Sequence, residues 1–76
     1  MGVDIEALKQ LTDAKGMPLE QLIQAIEAGV LTAYSETLEP NRYARVQLDR
    51  ETGDIAIFVP EFNEIGERVA EYVLEV

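Results

Sequence analysis

The sequence, 76 residues long, predicts an α+β fold in which a two-helix hairpin packs on a three-stranded antiparallel β-meander. Three observations carry that prediction. Apolar residues recur at helical spacing up to about Leu38, the spacing changes to strict alternation after Asn41, and prolines and glycines punctuate the chain where these patterns stop or reverse. One domain, 1–76, therefore divides into a helical hairpin over 4–39 and a β-meander over 42–76. The last apolar alternation runs to the final residue without a turn or polar tail, so the domain is expected to be an excised part of a larger one.

The first helix is expected over 4–15, with Ile5, Leu8 and Leu11 on the inner face and Glu6, Lys9, Gln10 and Asp13 outside. Asp4 is its N-cap, and Lys15-Gly16 supplies a cation and a left-handed stop. Pro18 then opens a second helix over 18–38 as its first helical residue. The short link favours an antiparallel pair. Leu19, Leu22, Ile23, Ile26 and Val30 form the inner stripe, which Leu31, Tyr34 and Leu38 widen. Gly29 marks either a close backbone crossing or a tolerated glycine. Glu39-Pro40 ends the helix, because proline disfavours helical geometry in the residue before it.

Beyond Asn41, Ala44, Val46 and Leu48 alternate with Tyr43, Arg45 and Gln47, as a half-buried strand requires. Asp49-Arg50-Glu51-Thr52-Gly53 suits a type I turn closed by a left-handed glycine. A second strand over 54–59 is apolar on both faces, as a central strand is, and Pro60 is expected to interrupt its pairing. Asn63-Glu64-Ile65-Gly66 is a second turn. A third strand, 68–76, carries Ala70, Tyr72, Leu74 and Val76 on one parity and Val69 and Val73 on the other.

Six cations against fifteen acids give a net charge of −9. That surface repels a phosphate backbone, so RNA binding by the chain as a whole is not expected. Cysteine and histidine are both absent, which excludes disulfides, thiolate chemistry, zinc sites and the commonest general base. No cofactor and no metal are expected. No apolar run approaches the roughly 20 residues that cross a bilayer, and the expected location is the cytoplasm.

Acid pairs are the catalytic option that composition leaves: Asp49 with Glu51 or Asp54, and Glu61 with Glu64. A domain this small has little volume for the walled cleft such pairs need, so they read as solvated turn acids and the chain as a non-enzyme. Arg42, Arg45 and Arg50 lie within nine residues, with Tyr43 beside them. Arginine next to an exposed tyrosine suits a phosphate or a base. The bland reading pairs these arginines with Asp49, Glu51 and Asp54 on a solvated face. Tyr34 and Leu38 stand either in the core or on a partner-facing patch.

Four strings in this order resemble the N-terminal domain of the NusA family of bacterial transcription elongation and termination factors. They are Ile5-Glu6-Ala7-Leu8 with Lys15-Gly16-Met17-Pro18, the run from Ala25 through Glu27 and Gly29 to Ala33-Tyr34, the run from Val46 through Asp49-Arg50 to Gly53-Asp54, and Asn63-Glu64-Ile65-Gly66. The resemblance covers essentially the whole chain. It implies a module that docks on bacterial RNA polymerase near the RNA exit channel, at the flap region and the C-terminal domains of the α subunits, and that modulates pausing, termination and antitermination. It also implies continuation into further helices and RNA-binding domains. Many relatives carry lysines or arginines just after the Ala-Tyr pair, whereas Ser35-Glu36-Thr37 follows Tyr34 here. Tyr34, Leu38, Arg42, Tyr43, Arg45 and Arg50 are the candidate partner-binding residues. The alternative is a small acidic domain, unrelated to transcription, that associates weakly with itself through its last strand.

Overall fold

A computed structural model describes residues 2–76. It contains helix α1 (Ile5–Lys15), helix α2 (Leu19–Ser35) and strands β1 (Arg45–Leu48), β2 (Ile55–Phe62) and β3 (Arg68–Glu75), with the strands in the order β1-β2-β3. Both pairings are antiparallel, so the fold is the predicted α+β meander. Asp4 caps α1: its Oδ1 accepts from the Ala7 N–H at 3.2 Å and its backbone carbonyl from the Leu8 N–H at 3.1 Å. Gly16 closes the helix in the left-handed region, at φ 67°.

The inner face of α1 is rotated from the expected one. Leu11 is 45% exposed, and Thr12, only 2% exposed, takes the buried place with Ile5 and half-buried Leu8. A threonine is tolerated there because its hydroxyl donates to the Lys9 carbonyl at 3.0 Å, which leaves no polar atom unpaired.

Two boundaries of α2 also differ. Pro18 is extended (φ −64°, ψ 137°) and serves as N-cap, so the helix opens at Leu19. At the other end the helix stops at Ser35. The Thr37 hydroxyl and amide both donate to the Tyr34 carbonyl, at 2.7 and 3.0 Å, and Ser35 Oγ donates to the Thr32 carbonyl at 2.6 Å. These local bonds replace the next helical turn, and Glu39 follows at φ 58°. Gly29 has open space where a Cβ would stand, so no backbone crosses there and the tolerated-glycine reading holds.

Strand β2 runs through Pro60, contrary to the expected interruption, with Pro60 opposite Glu71 of β3. The reason lies in the alternation of an antiparallel ladder. Even-numbered residues of β2 turn their N–H towards β1, but β1 ends at Arg45, opposite Phe58. The missing N–H of Pro60 therefore faces a place with no strand, and the ladder loses nothing.

Ile5, Ile23, Leu48 and Ile55 form the core, with Val3, Leu8, Leu19, Ile26, Val30 and Val46 packed around it. Ile57 and Val59 continue this face along β2. The helices thus cover β1 and β2, whereas β3 is exposed along its whole length. The first turn ties in the start of the chain. Gly53, at φ 81°, is buried, and its carbonyl accepts from the Val3 N–H at 2.8 Å.

Candidate protein-docking surface

The parity of the strands builds one face of the sheet away from the helices. Register places Arg45 opposite Phe58, Phe58 opposite Val73, Pro60 opposite Glu71 and Phe62 opposite Arg68. Residues directly opposite in a sheet share a face, so Arg45, Phe58, Phe62, Arg68 and Glu71 come together on the outer one. The Tyr43 and Phe62 rings meet edge to face, with centroids 5.4 Å apart. The Arg42 guanidinium lies 5.0 Å from the Tyr43 centroid, and that of Arg45 lies 4.1 Å from the Phe58 centroid. Glu71 binds Arg45 at 3.5 Å and also pairs with Arg68.

Asn41 aims this cluster. Its N–H donates to Tyr34 Oη at 2.9 Å, its Nδ2 donates to the Pro60 carbonyl at 2.9 Å, and its Oδ1 accepts from the Tyr43 N–H at 2.8 Å. The loop between α2 and β1 is thereby fastened at one end to the helix and at the other to β2, and Tyr43 is set against Phe62. Tyr34 is half-buried and acts through Asn41. Leu38, in the same loop, is 94% exposed.

Arg50 stands apart from Arg42 and Arg45. Its guanidinium grips Glu20 in two bonds, at 2.5 and 3.3 Å, and reaches Glu27 at 3.1 Å and the Leu48 carbonyl at 2.6 Å. It fastens the first turn of the sheet to α2. The Arg50 bond holds the Glu20 carboxyl below the usual carboxylate range, and its two acid partners push the guanidinium higher still.

Among the described residues, no arginine forms an ion pair with the turn acids, and Arg50 acts on Asp49 only through its charge. Arg45 and Arg50 pair instead with Glu71, Glu20 and Glu27. Asp49 is occupied by the turn itself, accepting from the Thr52 and Glu51 amides at 3.0 and 2.8 Å, which lowers its pKa. Among the described residues no three acids stand close enough to hold a metal ion, and no helix is long and apolar enough to cross a membrane. Phe58, Phe62, Arg68 and Glu71 were not candidates from sequence. Carrying the alternation of β2 on through Pro60 is the signal that finds the two phenylalanines.

The outer face combines aromatic plates with guanidinium rims. Tyr, Phe and Arg are the residue types enriched where proteins dock. The NusA N-terminal domain family matches residues 5–75. The chain is 31% identical over 72 residues to the transcription termination/antitermination protein NusA of Mycobacterium tuberculosis, covering 95% of this chain and 21% of that protein. It is 41% identical over 54 residues to NusA of Bacillus subtilis, covering 71% of this chain and 15% of the relative. With NusA of Halalkalibacterium halodurans the identity is 33% over 72 residues, covering 95% and 18%. The chain thus spans between 15% and 21% of the length of these relatives. No solved structure matches it. A match along nearly the whole chain, on the α+β meander described above, makes this chain a member of the NusA N-terminal domain family.

Proposed function

We propose that this chain is the polymerase-docking module of a cytoplasmic bacterial transcription termination/antitermination factor. It acts without catalysis, by holding RNA polymerase near the RNA exit channel, with the flap region and the C-terminal domains of the α subunits as its contacts, and so modulates pausing, termination and antitermination. The observation that carries this reading is the family match over residues 5–75. Leu38, Arg42, Tyr43 and Arg45 are the contact residues, joined by Phe62. Tyr34 and Arg50 position the loop and the turn behind them. The surface suits a partner segment that presents apolar side chains flanked by carboxylates. The remaining acidic surface, part of a net charge of −9, steers the module away from nucleic acid.

Calorimetric titration of the chain into core RNA polymerase tests the reading. The expected result is saturable, salt-sensitive binding, with no binding to single-stranded or hairpin RNA at about 150 mM salt. Absence of heat with the polymerase, or saturable binding to RNA that Arg42→Ala with Arg45→Ala abolishes, overturns it.

A further inference from the structure

Arg45 of β1 is held on three sides. Its guanidinium lies 4.1 Å from the Phe58 centroid, its Nη1 donates to Gln47 Oε1 at 3.4 Å, and its Nη2 meets Glu71 Oε1 at 3.5 Å. The other Glu71 oxygen, Oε2, pairs with Arg68 Nη2. One carboxylate, opposite Pro60 of β2, thus joins two guanidiniums. The Glu71 side chain is 25% exposed, against 56% and 55% for Arg45 and Arg68, so the acid is the more sheltered member of both pairs. Arg42 differs: it lies over Tyr43 and, among the described residues, enters no ion pair.

Without Glu71 the outer face would carry three uncommitted arginines beside the rings of Tyr43, Phe58 and Phe62. Rings that stack bases, next to guanidiniums that hold phosphates, are the means by which proteins bind single-stranded nucleic acid. Such a strand needs a run of cations, because every phosphate brings a charge. One carboxylate of a protein partner needs a single cation, which Arg42 supplies. Specificity comes from what a surface rejects as well as from what it holds. We propose that Glu71 is the specificity-determining residue of this face, a role that rests on the face being the docking surface proposed above. By occupying Arg45 and Arg68, its carboxylate keeps the face for protein and closes it to single-stranded nucleic acid.

Glu75 supplies the control. It stands on the same face of β3, opposite Ala56, and pairs with no arginine among the described residues. Glu71→Gln and Glu75→Gln remove the same charge from the same strand, and surface ion pairs add little to stability, so both variants keep the fold. Fluorescence anisotropy with a labelled RNA of about ten uridines, at about 50 mM salt where phosphate contacts are strong, measures the difference. Glu71→Gln should bind about tenfold more tightly than either the parent or Glu75→Gln, and should lose that gain when Arg45→Ala is added. Its affinity should also fall more steeply with salt, by about 0.7–1.4 in the log–log slope, as one or two further phosphate contacts on a single strand require. Equal binding by the two variants, no gain from Glu71→Gln, or a gain that survives Arg45→Ala overturns the proposal. The readout is RNA alone, so failure of the docking reading shows separately, as absence of heat in the polymerase titration.

Discussion

The Glu27 carboxylate of α2 accepts the Leu48 N–H of β1 at 2.9 Å, through the same oxygen that meets Arg50 at 3.1 Å. One side chain thus caps the edge of a strand and binds the long helix to the first turn. The outward amide of Leu48 is thereby paired without a neighbouring strand. Through this junction α2, the end of β1 and the first turn are joined.

Glu27→Ala leaves the part-buried Leu48 N–H without a partner and should destabilise the fold by about 1–3 kcal/mol. Glu27→Gln keeps an acceptor oxygen and should cost less. Urea unfolding of the two variants checks the order, and equal midpoints would show that the bond to Leu48 contributes nothing.

Gly53, Gly66 and Gly16 all have positive φ, yet they are not equivalent. A Cβ on Gly53 would stand 1.9 Å from the Val3 carbonyl oxygen, whereas one on Gly66 or Gly16 meets nothing within 4 Å. Gly66→Ala should therefore cost only the conformational strain, about 1 kcal/mol. Gly53→Ala should cost more than about 3 kcal/mol, because the N-terminal segment must also leave the turn. Thermal unfolding of both variants measures the gap.

Gly29→Ala should stabilise the protein by about 0.5–1 kcal/mol. It removes a flexible residue from the interior of α2 and introduces a methyl group into open space. A lower urea midpoint would indicate an unrecognised contact at that face.

Glu20 and Asp49 have pKa values lowered in the folded protein, the first by its bond to Arg50 and the second by the Thr52 and Glu51 amides. A depressed folded pKa stabilises fully above the unfolded value, and that stability is lost as pH falls through the folded one. Stability should therefore decline below about pH 4.5, where carboxylates take up protons. Glu20→Gln should make the decline shallower, and more visibly at low salt because the pair is exposed. Identical pH profiles for the variant and the parent would refute the link.

The order of elements is legible in the sequence because each local signal agrees with the next. Asp4 and Gly16 bracket α1, the apolar period changes after Asn41, and Gly53 and Gly66 sit in the turns. The details that differ depend on partners that local pattern does not reveal. Thr12 reads as polar, but its hydroxyl bonds within its own helix, and Pro60 reads as a breaker, but register places its missing N–H beyond the end of β1. Arg50 groups with its sequence neighbours, yet its partners are 23 and 30 residues away. The outer face of the sheet is half legible for the same reason. Arg42, Tyr43 and Arg45 cluster in sequence, whereas Phe62, Arg68 and Glu71 join them only through strand pairing.

The most direct test of a docking face on the outer sheet is an isotope-edited NMR titration of the chain with core RNA polymerase. Amide signals of Leu38, Arg42, Tyr43, Arg45 and Phe62 should lose intensity first, and Tyr43→Ala with Arg45→Ala should weaken the effect about tenfold or more, as loss of a central aromatic and arginine does at protein interfaces. Losses confined to the exposed side of α1, at Lys9 and Asp13, or no loss at saturating polymerase, would contradict the assignment.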